Sequence, residues 1–291
     1  MEVNWPMKKL FLSLTSFILT CSLQGQTQYF GHRGARGIAP ENSILSFQKA
    51  LEYPISGVEW DVVVNKDKEL VISHEPYFKP SICQAENISD AQLKTYNIYR
   101  MTQAEIQEID CGTKYNLNFP EQLKTVSTKP TFKEVVQQIN FQDKTILFEV
   151  KSEKKEYGIS QPFPEEFARI ILDEVNVSEL NENIIFMSFD PNILNAIYSQ
   201  DSTFRFIYLT YKPFKSVNKF LSHCNFKPYA LGMYFPTITK GKGYALSRKG
   251  VKLFAWTVNN KQQTFDLIHK GVDGIITDFP DRINENLTNP H

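Results

Sequence analysis

Four side chains that can move protons or bind a metal ion lie close together near the N-terminus of this 291-residue chain. His32 and His74 flank an acidic pair, Glu59 and Asp61, and the whole chain has only five histidines. Histidine exchanges protons near neutral pH, and closely spaced carboxylates bind hard divalent cations. The combination of acid, base and metal ion indicates hydrolysis of a phosphate ester.

The acidic pair lies in the apolar run GVEWDVVV, which predicts a strand over Gly57–Val64. Alternate residues of a strand share a face, so both carboxylates point the same way. Two like charges on a buried strand repel each other and lose hydration unless a cation or a proton relieves them. An edge strand with a solvated acidic face is the alternative. The apolar residues Val58, Trp60 and Val62 on the opposite face favour a packed strand and a metal site.

Two further strand ends carry ionisable side chains. His74 ends a second β-run, and the link 65–68 has turn composition, so a hairpin returns His74 toward the carboxylates. Glu149 ends an apolar run in ILFEVKSE, and Lys151 shares its face. A structural Glu–Lys pair in the core is the alternative interpretation of these last two residues.

His32 follows a short predicted strand, Gln28–Gly31, and precedes Arg33 and Gly34. The glycines let the backbone approach a ligand closely, and a guanidinium can bond two phosphate oxygens at once. Trp256 stands at another strand end, where it either joins the core or stacks on a substrate. The carboxyl ends of barrel strands are where barrel active sites assemble, so these coincident positions favour one shared site.

The elements that must position these residues alternate between strands and helices, which predicts an α/β protein with a (β/α)8 TIM barrel. The predicted strands are Gln28–Gly31, Gly57–Val64, Thr145–Lys151, Ile184–Ser188, Phe204–Leu209, Ala230–Tyr234, Lys252–Thr257 and Gly274–Thr277. The predicted helices are Ser43–Leu51, Phe132–Ile139, Glu165–Val175, Pro191–Ser199 and Lys261–Lys270. A doubly wound open sheet competes, but the first strand lacks the glycine-rich loop of dinucleotide-binding domains.

Residues 75–129 interrupt this alternation, with several prolines and no sustained period. A loop of this length usually has a function or forms an inserted subdomain. We interpret it as a loop-rich insertion after the second strand, overhanging the barrel mouth. The three cysteines of the mature chain allow three pairings, and spacing favours Cys83 with Cys111, which leaves Cys224 free.

Residues 1–25 have the pattern of a signal peptide. Lys8 and Lys9 precede the apolar run LFLSLTSFILTCSL, and small or polar residues follow through Gly25. The run is too short for a stable membrane span. We expect an exported protein, periplasmic or secreted, with residues 26–291 forming one barrel domain. A buried N-terminal helix and a lipoprotein anchor at Cys21 are the alternatives.

The formal net charge of the chain is zero. Without a global basic field, the composition does not favour nucleic acid as a partner. No C-x-x-C pair or Cys/His cluster occurs in the sequence, which disfavours a zinc site. Balanced charge leaves the oligomeric state open between a monomer and a weak dimer.

Five segments together resemble the glycerophosphodiester phosphodiesterase family, over nearly the whole mature length. They are, in chain order, HRGARGIAPENSILSFQKAL, GVEWDVVVNKDKELVISHE, ILFEVKSE, KLFAWTVNN and GVDGIITDFPDRI. The resemblance implies a (β/α)8 barrel, one divalent cation, and hydrolysis of a glycerophosphodiester to glycerol 3-phosphate and an alcohol. Oxygen ligands suit Ca²⁺ or Mg²⁺, and an exported location favours Ca²⁺.

The resemblance also implies a role for each residue introduced above. The metal ligands are Glu59, Asp61 and Glu149. The general acid and base are His32 and His74, and we expect His32 as the base. The groups that face phosphate or substrate are Arg33, Lys151 and Trp256. A near-site position is implied for Glu41.

Two positions depart from the family pattern: Glu75 follows His74 where aspartate is usual, and Lys68 replaces a turn glycine. The insertion leaves the preferred alcohol open. A phospholipase-D-like or phosphoinositide-specific phosphodiesterase on the same barrel is one alternative function. A non-catalytic protein that binds phosphodiesters is another.

Overall fold

The protein folds as a closed barrel of eight parallel strands, seen in a computed structural model that describes residue 1 and residues 26–283. The barrel order is β1, β9, β8, β7, β6, β5, β4, β2, and pairing of β1 with β2 closes the ring. The barrel strands are β1 (Gln28–Gly31), β2 (Gly57–Val64), β4 (Thr145–Val150), β5 (Ile184–Ser188), β6 (Arg205–Thr210), β7 (Ala230–Tyr234), β8 (Lys252–Trp256) and β9 (Gly274–Thr277). The predicted TIM barrel is confirmed.

Most predicted elements are present with small changes at their ends. The helices are α1 (Ile44–Leu51), α2 (Asp90–Leu93), α3 (Gln103–Gln107), α4 (Phe132–Gln138), α5 (Pro164–Val175), α6 (Pro191–Gln200), α7 (Val217–Leu221), α8 (Lys240–Ser247) and α9 (Lys261–His269). Lys151 and Thr257 lie just beyond strands that were predicted to include them, and β6 is shifted by one residue. The predicted signal peptide and the possible anchor at Cys21 lie outside the described residues.

Helix starts follow from side chains that accept the free N–H groups of the first turn. Asp190 caps α6 by accepting from the N–H of Asn192, and Pro191 occupies the first helical position. Ser43 caps α1 in the same way. Among the helices of the described part of the chain, none has the length and the apolar character that a membrane crossing requires.

Two apolar layers fix which way each strand faces. One layer fills the barrel interior with side chains such as Phe30, Met187 and Phe254. The other lies between the barrel and its helices, where Trp60 makes edge-to-face contacts with four phenylalanine rings. Successive side chains of a strand point to opposite faces of the sheet. Because Trp60 packs outward, Glu59 and Asp61 on either side of it point into the barrel.

The predicted hairpin is also present. β3 (Leu70–Ile72) pairs antiparallel with β2, and His74 follows it. The segment after β3 builds a small apolar cluster of its own around Phe78, Ile98 and Ile106. Within it Cys83 is bonded to Cys111, the pairing that spacing favours, and Cys224 is the free cysteine among the described residues. Helices α2 and α3 both begin with reciprocal capping boxes.

Candidate active site

All eight predicted site residues meet at the carboxyl ends of the strands. A cavity of about 260 Å³ opens there. Six of the eight residues line it: His32, Arg33, Glu59, His74, Glu149 and Trp256. Lys151 lines an adjoining cavity of about 560 Å³, which shares His74 and Glu149 with the first. Asp61 lies beneath, fully buried.

Three carboxylates form the floor of the cavity. Strand register places Asp61 opposite Glu149, and Glu59 stands two residues earlier on the same face. One oxygen from each lies within 4.8 Å of the others, and all three side chains are buried. Burial raises the pKa of Glu59, and the charges of Asp61 and Glu149 raise it further.

The residues present fit a divalent cation. Glu59 Oε1 and Asp61 Oδ1 are buried and have no hydrogen-bond partner among the described residues. Buried carboxylate oxygens without a hydrogen bond cost free energy, which a cation between them would remove. A set of oxygen donors without sulfur or nitrogen suits Ca²⁺ or Mg²⁺.

Two positively charged side chains already balance part of this negative charge. Arg33 Nε lies 3.3 Å from Asp61 Oδ2, and Lys151 Nζ lies 3.6 Å from Asp61 Oδ1 and closer to Glu149. Burial would raise the pKa of Asp61, but His74, Lys151 and Arg33 together hold it well below its ordinary value.

The loop after β1 owes its shape to a left-handed turn. Arg33 has φ of 51° and Gly34 has φ of 82°, which turns the Arg33 N–H onto Glu59 Oε2 at 2.8 Å. A Cβ on Gly34 would lie 2.6 Å from Ser46 Oγ, so only glycine fits there. The Arg33 guanidinium also donates to Glu41 at 2.8 Å.

His32 is held by Asp278, which follows β9. His32 Nδ1 lies 2.6 Å from Asp278 Oδ1, and its Nε2 lies 3.9 Å from Glu59 Oε2. Burial lowers the pKa of His32 to about 4, while His32 and Arg36 keep the pKa of Asp278 below its ordinary value despite burial. A neutral imidazole facing an ionised carboxylate carries its proton on Nδ1, so Nε2 is free to accept one.

His74 has a different orienting partner. Its Nδ1 lies 2.9 Å from Glu75 Oε1, and Lys79 contacts the same oxygen at 3.3 Å. The hydrogen bond to His74 is the main reason that the pKa of Glu75 falls to about 2. Glu75, the residue that departs from the family pattern, therefore still places a carboxylate beside this histidine.

Trp256 lies across the cavity in a cluster of aromatic rings. Phe189 packs against it edge to face, and the centroid of the Tyr234 ring lies 5.5 Å from that of the Trp256 ring. The Trp256 Nε1 is buried and has no hydrogen-bond partner among the described residues. An indole N–H that lines a cavity without a partner is suited to donate to a bound ligand.

Several groups at this site are not among the residues that the sequence predicted. Asp278 lies within the quoted segment GVDGIITDFPDRI, and its position directly after β9 is the signal that identifies it as a strand-end carboxylate. Arg36 donates to Asp278 at 2.6 Å, and Phe189 follows β5. The partners of these residues are distant in sequence, and so the pattern alone does not reveal the contacts.

The closed barrel and the cavity at the carboxyl ends of its strands define a TIM-barrel enzyme. Its family follows from the sequence: residues 32–282 match the model described as the glycerophosphoryl diester phosphodiesterase family, and the chain belongs to that family. The family resemblance and the enzyme class predicted from the motifs are confirmed.

Relatives and solved structures agree with this assignment. A glycerophosphodiester phosphodiesterase of Caldanaerobacter subterraneus is 29% identical over 259 residues, which is 89% of this chain and 96% of the relative. The fold is similar to an Oleispira antarctica phosphodiesterase solved in complex with the product sn-glycerol-3-phosphate, with a TM-score of 0.74, 21% identity, and coverage of 89% and 96%. It is also similar to a glycerophosphodiester phosphodiesterase of Thermotoga maritima, with a TM-score of 0.65, 23% identity, and coverage of 90% and 98%.

Proposed function

We propose that the protein hydrolyses glycerophosphodiesters to glycerol 3-phosphate and an alcohol, using one divalent cation and two histidines. One observation carries the proposal: two buried carboxylate oxygens, which have no hydrogen-bond partner among the described residues, lie beside a cavity that both His32 and His74 line. Membership of the family supports the reaction, and the product bound in the Oleispira antarctica phosphodiesterase supports a small-molecule substrate of this kind.

Glu59, Asp61 and Glu149 would hold the cation. When bound, it would neutralise phosphate charge and stabilise the charge that develops in the transition state. Ca²⁺ is our preferred ion and Mg²⁺ is the alternative, because both take oxygen ligands. Arg33 and Lys151 add fixed positive charge on the same side of the cavity, where they would bind the phosphate oxygens.

The two histidines would carry the protons. His32 Nε2 takes the proton of the attacking hydroxyl, while Asp278 holds the imidazole with its proton on Nδ1. His74 gives a proton to the departing alcohol oxygen as the phosphorus–oxygen bond breaks. In a glycerol ester the neighbouring hydroxyl is the attacking group, and water then opens the resulting cyclic phosphate.

The two adjoining cavities suggest how the substrate lies. Trp256 and Phe189 border the smaller cavity, where the glycerol would pack on their rings with the free Trp256 N–H as a donor. The departing alcohol would then occupy the larger cavity, whose lining adds Tyr211 and Lys212. Its size of about 560 Å³ exceeds what a small alcohol needs, so we expect tolerance of several head groups.

A coupled assay of glycerol 3-phosphate release from a panel of glycerophosphodiesters tests the proposal, with diacyl phospholipids as parallel substrates. We expect turnover of the deacylated diesters in the presence of Ca²⁺ or Mg²⁺. Turnover of intact lipids alone would instead favour a phospholipase-D-like or phosphoinositide-specific enzyme. Tight binding of the diesters without turnover would favour a non-catalytic phosphodiester-binding protein.

The histidine roles are tested by His32→Ala and His74→Ala. Loss of a general acid or base costs about 10²–10⁴ in rate, so kcat should fall by that factor in each variant. His269→Ala is the matched control, because this histidine is exposed on α9 and, in the part of the chain that the structure describes, bonds only the Phe265 carbonyl oxygen. Unchanged kcat in either active-site variant would contradict the assignment.

We also propose export of the mature protein. The disulfide between Cys83 and Cys111 supports an oxidising compartment, where such bonds persist. The intact mass of the protein isolated from its source cells checks this proposal. A mass that corresponds to a chain lacking about 25 residues supports cleavage of a signal peptide, whereas a full-length mass contradicts it.

A further inference from the structure

An apolar tip projects from the rim of the barrel mouth, formed by the loop that follows β6. Phe214 is 99% exposed and Tyr211 is 60% exposed. The loop leaves the carboxyl end of its strand, so it stands on the same side of the barrel as the cavities. Lys242 donates to the Pro213 carbonyl oxygen at 2.7 Å, which fixes the base of the tip. Two large apolar side chains held open to water indicate an interaction surface.

The same segment carries positive charge without compensation. Residues 211–221 include Lys212, Lys215 and Lys219 and contain no acidic residue. Among the described residues, these lysines form no ion pair. The pKa of His223 lies below its ordinary value because of burial and because these three lysines repel a further positive charge. The tip is therefore a locally basic surface on a chain whose net charge is zero.

The apolar character extends around the rim from this tip. Ile159 and Phe163 are 53% and 58% exposed in the loop after β4. That loop and the tip border the same large cavity, to which they contribute Gln161 and Tyr211 respectively. The exposed apolar groups thus lie around the opening through which a ligand enters.

We propose that this rim docks on the surface of an anionic phospholipid bilayer, with Phe214 entering the head-group region and the lysines contacting lipid phosphates. Aromatic rings are favoured at the boundary between polar head groups and acyl chains, and lysine stems extend to place their charges in the polar layer. A basic surface is complementary to anionic lipid and gains attraction from each lysine. Docking turns the cavity mouth toward the membrane.

This proposal goes beyond the hydrolytic function and does not rest on it, since the tip contains none of the residues assigned to proton transfer or metal binding. Its consequence is a supply of substrate at the membrane surface. Glycerophosphodiesters arise when both acyl esters of a phospholipid are hydrolysed, so a deacylating reaction at the same surface would supply them.

The test is co-sedimentation of the purified protein with vesicles of phosphatidylcholine, alone or mixed with anionic phosphatidylglycerol. We expect binding to the mixed vesicles only, weakened by added salt because surface charges are screened. Phe214→Ser should weaken binding roughly tenfold, as expected when the burial of one aromatic side chain in the bilayer is lost. Lys215→Gln with Lys219→Gln should weaken it roughly twenty-fivefold, about fivefold for each lysine.

Matched controls carry the same changes at the opposite end of the barrel. Lys227→Gln with Lys249→Gln removes two exposed lysines from αβ loops, and Tyr244→Ser removes an exposed aromatic ring. Both should bind mixed vesicles as the wild type does. Phe214→Ser should keep wild-type hydrolysis of soluble diesters.

Three results would overturn the proposal: no binding of the wild type to mixed vesicles, equal binding of the wild type to pure phosphatidylcholine, or binding of the tip variants as tight as that of the wild type. Vesicle binding without any hydrolysis would leave docking intact and refute only the proposed function.

Discussion

One hydrogen bond controls which nitrogen of His32 is available for chemistry. Asp278 binds Nδ1 at 2.6 Å and also receives hydrogen bonds from Arg36 and Asn259, so the carboxylate is held in place by three donors. Asp278 therefore positions the proposed base without approaching the substrate. Its effect should be visible in kcat rather than in the affinity for a metal ion.

Asp278→Asn tests this positioning role. An amide supports the wrong tautomer of the imidazole, so kcat should fall by roughly a hundredfold or more. Calcium affinity measured by calorimetry should stay near that of the wild type, because Asp278 is not among the proposed ligands. Asp281→Asn is the control, since that carboxylate is exposed. Wild-type kcat in Asp278→Asn would refute the role.

Glu41 supports the fold through its pairing with Arg33 and Arg36. Burial would raise the pKa of Glu41, but the positive groups around it, Arg33 and Arg36 foremost, together outweigh burial and lower the pKa from 4.5 to about 2. The ionised form therefore stabilises the folded state fully above the unfolded pKa, and this contribution is lost as the pH falls through about 2.

Glu41→Gln should accordingly lower the free energy of unfolding by up to about 3 kcal/mol at pH 7. The difference from the wild type should shrink as the pH falls from about 5 toward 2. Urea unfolding at several pH values measures it, with the exposed Glu86→Gln as the control. A difference that stays constant with pH would contradict an ionic contribution from Glu41.

Single residues were predictable where a side chain lies in a recognisable strand or directly follows one. Glu59 and Glu149 could be assigned because they lie in the apolar, β-branched runs of β2 and β4, and His32 because it directly follows the short strand β1. The partners of these residues were not predictable in the same way. Asp278 lies 246 residues from His32, and only closure of the barrel brings the two together.

At the scale of elements, the insertion has its own stabilisation. Cys83 and Cys111 close a loop with a sequence separation of 28 residues around the apolar cluster that includes Ile106. Closing a loop of this length in the unfolded chain contributes about 3–4 kcal/mol in the chain-entropy account. The insertion carries Glu75 and so supports the orientation of His74.

Replacing both bonded cysteines with alanine should lower the free energy of unfolding by about 3 kcal/mol, measured by urea denaturation. Cys224→Ala is the control, because that residue forms no disulfide within the described part of the chain. We expect slower substrate turnover in the double variant as well, because Glu75, which orients His74, lies at the start of this insertion. Equal stability of the double variant and the wild type would contradict a structural role for the bond.

Sequence patterns located the elements whose apolar residues follow a clear run or periodicity, and they missed the helices that lack one. All eight barrel strands were predicted, because each is a short apolar run. Helix α7 has only five residues, and α8 (KGKGYALS) contains two glycines and no continuous apolar stripe. Both helices form because their apolar side chains pack against the outside of the barrel, which is a tertiary effect that local propensity does not encode.

At the scale of the whole molecule, the barrel assembles the site from distant segments. β1 and β9, the first and last strands, are neighbours in the ring and bring together His32 and Asp278. β2 and β4 are neighbours despite the long insertion between them, which places Asp61 opposite Glu149. The site can exist only in the closed barrel, so activity should disappear together with the folded state.

The central claim is that the buried acidic cluster binds a divalent cation that hydrolysis requires. The most direct test is the initial rate of glycerol 3-phosphate release by chelator-treated enzyme during titration with Ca²⁺ and, separately, Mg²⁺. We predict that activity is lost on chelation and returns on titration, and that Glu59→Gln loses at least about a hundredfold in rate, whereas the exposed Glu182→Gln behaves as the wild type. Full activity after complete removal of metal would contradict the account.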